Sequence, residues 1–199
     1  MRREFHVRFC EGGGVRFPSA TRLVVLFQRK RDAERFLAVL PKRFGKFGLT
    51  LHPDKTRLIP FQRPDRVDPD DDRPGTFDLL GFTHHWAVSR KGHWVVKQRT
   101  AKDRFSRALR RLRGWCRWHR HDPLETQHTT LVKKIRGHYA YYGITSNFDR
   151  IADFFHRATR AWRTALERRS QQRLPWWKMQ KLLERFPLPA PRIVHRYGT

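Results

Sequence analysis

The sequence predicts an α+β fold in which strands and one helix fill residues 23–100 and helices alone fill residues 101–199. Three observations lead there. Short, nearly continuous apolar runs such as "LVVLFQ" (Leu23 to Gln28) read as buried strands. From Ala101 onward the period changes, and apolar residues recur at steps of three and four, as one face of a helix requires. The chain of 199 residues is only 38% hydrophobic, but its 15 Phe and 7 Trp each bury a large area, so a core is feasible.

Each element follows from local chemistry. Residues 1–22, with Gly12, Gly13, Gly14 and Pro18, are read as an unstructured or degenerate start. Leu23–Gln28 is a strand, followed by a helix from about Lys30 to Phe47 that carries Ala33, Phe36, Leu37, Leu40, Phe44 and Phe47 on one side. Pro41 is expected to break that helix, and Gly48 to stop it. "TRLIPF" is a second strand, "QRPDRVDPDDDRPG" a polar connection, and residues 76–100 a β-hairpin turning at Ser89-Arg90-Lys91-Gly92.

In the helical part, Phe105, Ala108, Leu109, Leu112, Trp115 and Cys116 form the first apolar stripe, with Arg104, Arg107, Arg110, Arg111, Arg113 and Arg117 over the remaining surface. Asp122-Pro123-Leu124-Glu125 reads as an N-cap, Pro at the first helical position and an acid two residues on. The second helix carries Leu131, Ile135, Tyr139 and Tyr142. Asn147 is expected to cap a third, bearing Ile151, Phe154, Phe155, Trp162 and Leu166. A short fourth helix lies near Trp176 to Phe186, before the extended "FPLPAPRIVH".

Charge narrows the function. Lys and Arg total 44 against 18 Asp and Glu, a formal net charge of +26 with a pI near 11.5. A polyanion relieves the self-repulsion of such a chain, and nucleic acid is the first candidate. The excess is spread through the sequence, with 23 Lys/Arg against 7 Asp/Glu in residues 101–199. Arg outnumbers Lys, which suits bidentate phosphate contacts and stacking on bases. Cys10 and Cys116 give neither a disulfide framework nor a zinc spacing, so a cytoplasmic, reduced setting is expected. No apolar run approaches the ~18 residues of a membrane span, and no membrane partner is expected.

The motifs for chemistry are sparse. Asp70-Asp71-Asp72 has no apolar surroundings to fix a metal geometry and is read as a solvated loop. His84-His85 and the pair His119 and His121 lack a third ligand at a familiar spacing. "KKIRGHYAYYG" (133–143) places cations beside aromatics, which fits either stacking on unpaired bases or a helix with a tyrosine core face. "HPDKTRL" sets Lys55 and Arg57 on a turn, either a phosphate clamp or an ordinary charged turn.

"LPKRFGKFGLTLHPDKTRLIPF", "GTFDLLGFTHHW", "KGHWVVKQRTAKDR", the long run from "LRGWCRWHRHDPLETQ" through "WRTALERRSQ", and "FPLPAPRIVH" together resemble the C-terminal half of group II intron-encoded reverse transcriptase/maturases. The likeness covers about Leu23 to His195. It implies that residues 23–100 are a partial reverse-transcriptase palm. It also implies that residues 101–199 are the thumb, or maturase-specific, domain with an extended tail. The implied partner is group II intron RNA, with a template–primer duplex as a further substrate of that family.

The resemblance departs at the chemistry. The family's Tyr-Ala-Asp-Asp, whose two aspartates hold Mg²⁺, falls on Ser19, Ala20, Thr21 and Arg22. Thr21 and Arg22 supply no carboxylate, so no catalytic residue, metal ligand or cofactor is expected. The fingers are absent from the match, as though the reading frame began after a truncation or frameshift. The expected activity is RNA binding that assists splicing, with Arg104, Arg107, Arg111, Lys133, Lys134, Arg136, His138 and Tyr141 at the RNA surface and Lys55 and Arg57 beside them. Trp115, Tyr139, Phe155 and Trp162 are expected in the thumb core. The alternatives are RNA-directed DNA polymerase activity, which needs the missing carboxylates, and a non-functional relic.

Overall fold

Backbone pairing organises the first part of the chain around a strand in the expected unstructured start. The computed structural model describes residues 5–10, 22–51, 56–64 and 75–196. Strand β1 (Phe5–Cys10) pairs antiparallel with β2 (Arg22–Phe27) and with β3 (Arg57–Pro60), so it is central in the order β2-β1-β3. The reading of residues 1–22 as a start without structure is therefore corrected for Phe5–Cys10 and Arg22; residues 1–4 and 11–21 lie outside the described residues. The alternation "FHVRF" in β1 completes a ladder that β2 and β3 alone would leave unpaired.

Helix α1 (Lys30–Gly45) lies on this sheet. Ala33 and Leu40 are buried, with Val25, Phe27, Phe36, Leu37 and Leu58 packed against them. Pro41 sits inside α1, and the helix continues for a further turn past it, contrary to the expected break. Gly48 does close the end of the helix, at φ +69°, while the Leu49 amide donates to the Phe44 carbonyl over 3.0 Å.

Residues 76–100, expected as one hairpin, form three strands: β4 (Phe77–Leu79), β5 (Phe82–Val88) and β6 (Trp94–Thr100). The extra reversal is a two-residue turn at Leu80 (φ +50°) and Gly81 (φ +82°), both in the left-handed region that such turns require. The expected turn is also present, with the Gly92 amide donating to the Ser89 carbonyl at 3.0 Å.

The chain divides into two compact units, residues 1–97 and 98–199. The second is helical: α2 (Lys102–Trp118), α3 (Leu124–Tyr142), α4 (Phe148–Ser170) and α5 (Trp176–Arg185). Their stripes meet in one core containing Phe105, Leu109, Leu131, Ile135, Ile151 and Trp162. Tyr139 and Trp162 are buried as expected, whereas Trp115 and Phe155 are only partly buried at the edge of the core.

Two buried polar side chains fix the bundle. Gln127 donates to the carbonyls of Arg120 and Asp122 and accepts from Trp162 Nε1 at 3.0 Å, joining the α2–α3 turn to α4. Asn147 precedes α4 as expected, but its side chain makes no capping bond. It accepts from the Thr100 amide at 2.8 Å and donates to Thr100 Oγ1 and the Tyr142 carbonyl. The expected cap at Asp122 is also corrected. Helix α3 begins at Leu124 after Pro123, and the Asp122 carboxylate instead lies 2.8 Å from His119 Nδ1.

The Pro-rich tail is extended and strapped along α3. Tyr139 donates to the Pro189 carbonyl, and the amides of Val194 and His195 donate to the Gly143 carbonyl at 2.7 and 2.9 Å. A Cβ at Gly143 would collide with the Tyr139 carbonyl oxygen, so this crossing demands glycine.

Candidate nucleic-acid interface

Helix α2 spends its apolar positions on the core and leaves its arginines on two other faces. Arg110, Arg113 and Arg117, at i, i+3 and i+7, form one row. Arg157, Arg160 and Arg168 form a matching row on α4, interrupted by Thr164. Because α2 and α4 pack through Phe105, Leu109, Phe154 and Ala158, the two rows flank one groove of about 790 Å³. Gly114 and Ala161 line it too, and their small side chains keep it open between the guanidinium rows.

The electrostatics are one-sided. Asp153 is the single carboxylate lining the groove, and it is already engaged by Arg157 Nε at 2.7 Å and Arg150 at 4.0 Å. Among the described residues, Arg110, Arg113, Arg160 and Arg168 have no ion pair. The packed helices present these exposed cations along one groove with Asp153 as its lone carboxylate. Such an arrangement favours the approach of an anion.

The residues expected at the RNA surface are distributed differently. Arg107 and Arg111 are exposed and Arg104 is half-buried, all on α2. Arg104 and Arg107 share the Asp103 carboxylate, at 3.5 and 3.7 Å, which offsets part of their charge. Lys133, Lys134, Arg136 and Tyr141 are exposed on α3, and the Lys134 ammonium sits 5.3 Å from the centre of the Trp115 ring. Arg57 is exposed on β3 in the other unit, and Lys55 lies outside the described residues.

His138 is corrected. It is buried, with its ring stacked on Phe154 at a centroid distance of 3.7 Å. Burial pushes its pKa down to about 4, and its Nε2 has no hydrogen-bond partner. A neutral, enclosed imidazole is not a phosphate contact.

In the sequence Arg110, Arg113 and Arg117 stand out only as surface cover, and Arg157, Arg160 and Arg168 do not stand out at all. The available signal was the shared i, i+3 spacing of arginines on both helices, opposite their apolar stripes.

Among the described residues no group of three or more His, Cys, Asp or Glu side chains is arranged to hold a metal ion. Thr21 and Asp70–Asp72 lie outside the described residues, and Arg22 opens β2. Thr21 and Arg22 offer one neutral hydroxyl and one cation, a donor set that does not fit Mg²⁺. No described helix is long and apolar enough to cross a membrane. Burial raises the Cys116 thiol to about 12, which leaves it unreactive. Comparison with family models, with curated proteins and with solved structures finds no match to this chain.

Proposed function

We propose that the protein is an RNA-binding factor of the maturase type, gripping group II intron RNA and assisting its folding for splicing. The observation that carries this reading is the double row of arginines, without free carboxylates, in the α2–α4 groove. Guanidinium pairs suit phosphate oxygens bidentately, and the helices hold them at fixed spacing. The exposed Lys133, Lys134, Arg136 and Tyr141 of α3 offer a second, weaker contact surface on the same unit. The role is electrostatic and geometric, so no covalent step is assigned to the protein. The choice of intron RNA over other polyanions rests on the sequence resemblance.

Equilibrium binding across a salt series tests the proposal, using a group II intron RNA and a size-matched unrelated RNA. Intron preference that persists at high salt supports a maturase. Equal affinities that collapse together as salt rises would reduce the protein to a generic polyanion binder. Polymerase activity would need carboxylates that Thr21 and Arg22 do not supply.

A further inference from the structure

The arginine groove does not stop at α2. Thr164 and Arg168 line it and also line a second concavity at the C-terminal end of α4, with Arg163, Gln171, Gln172 and Arg173. Arg163 leads directly to an aromatic surface, because its guanidinium lies 4.5 Å from the centre of the Trp176 ring. That guanidinium is held in place by Glu167, whose Oε1 accepts from Arg163 Nη2 at 2.9 Å and from the Leu174 amide at 3.1 Å. Arg163 holds the Glu167 carboxyl below the usual range, so the pair stays ionised at neutral pH. The indole thus has a paired cation over its ring while 46% of Trp176 remains exposed.

A large, half-exposed aromatic ring whose neighbour Arg163 lines the end of a cationic track is poorly explained by packing. It has the chemistry of a stacking surface for an unpaired base. We propose that Trp176 stacks a nucleobase of a single RNA strand whose phosphates run along the α2–α4 groove and past Arg168. Duplex RNA keeps its bases paired and cannot use this contact, so the site gives the protein a preference for unpaired segments. The inference rests on the RNA-binding reading above. Trp177 is the internal contrast. Trp176 meets the second concavity through Arg163, which lines it, whereas Trp177, 56% exposed, has only the ammoniums of Lys178 and Lys181 over its ring, at 5.3 and 5.5 Å, and neither lysine lines a concavity.

The test is equilibrium binding of the full chain to a short single-stranded RNA, to an abasic strand of equal length, and to a duplex. The abasic strand keeps the phosphates and removes the bases. Wild-type protein is expected to bind the base-bearing strand about tenfold more tightly than the abasic one. Trp176→Leu should erase that difference and leave abasic binding unchanged, whereas Trp177→Leu should keep it. Trp176→Phe, which retains a ring and the fold, should keep most of the preference and lose the base-dependent part of tryptophan quenching. A preference that survives in Trp176→Leu, or unchanged quenching in Trp176→Phe, overturns the proposal. Absence of binding to both strands overturns the groove reading instead, so the two failures are distinct.

Discussion

In residues 98–199, Trp162, Leu131, Ile135, Ile151 and Met179 are fully enclosed, and helices from four parts of the chain meet around them. In residues 1–97, the cluster under α1 has only Ala33 and Leu40 as buried members among the described residues, while Leu26, Val39, Phe47 and Leu80 face outward. The helical unit therefore has the core of an independent domain; among the described residues the cluster under α1 encloses less, and Phe61 and Phe77 are buried elsewhere in the sheet unit. The contrast bears on function. A groove lined by unpaired guanidiniums holds its shape only if the helices under it are rigid, and α2 and α4 are anchored on the enclosed side.

The largest effects should follow this division. Trp162→Ala is expected to cost about 3–5 kcal/mol, through the cavity it opens and the partner it removes from Gln127. Phe36→Ala, under α1 in the other unit, should cost clearly less, on the order of 1 kcal/mol. Denaturant melts of both variants check this, and equal losses would break the comparison. A fragment spanning residues 98–199 should also unfold cooperatively by itself.

His138 gives the helical unit a pH signature, and burial lowers the His84 pKa of the sheet unit in the same direction. Its folded pKa is about 4, below the ordinary 6.5. Between those values the unfolded chain takes up a proton that the folded chain refuses, so stability falls as pH drops from about 6.5 to about 4. The loss reaches roughly 3 kcal/mol at the lower limit and is absent above pH 7. His138→Phe should flatten that slope, as thermal melts across the range would reveal. An unchanged slope would mean that the imidazole is not enclosed.

Asn147→Ala should cost about 1–3 kcal/mol, because the Thr100 amide and the Tyr142 carbonyl lose their buried partner. As a plain N-cap the same substitution would cost ~1 kcal/mol. Hydrogen exchange at the Thr100 amide separates the cases, since only the observed bonding protects it. Smallest of all, neutralising Arg104 and Arg107 together should change stability by only a few tenths of a kcal/mol, since their pairs with Asp103 are solvent-exposed.

Much of the helical unit was legible because its signals are local. The stripes of α2 and α4, the position of Asn147 and the burial of Tyr139 and Trp162 all follow from period alone. What escaped depends on tertiary pairing. β1 is a short apolar alternation among arginines and glycines, and only its two partner strands make it the centre of a sheet. Asn147 stands at a capping position, but Thr100, distant in sequence, outcompetes the helix end for its amide. The inward turn of His138 follows from the spacing of Leu131, Ile135 and Tyr142, yet the adjacent lysines drew it into a surface reading. The groove needs two helices to align their arginine rows, which neither helix announces by itself.

The most direct measurement is the salt dependence of RNA affinity for wild type and two triple variants. One is Arg110→Gln, Arg113→Gln and Arg160→Gln; the other is Arg104→Gln, Arg107→Gln and Lys134→Gln. The slope of log affinity against log salt should fall by roughly 2–3 in the groove variant and by less than about 1 in the other. Equal slopes in the two variants, or a larger loss in the second, would contradict the assignment of the RNA grip to the α2–α4 groove.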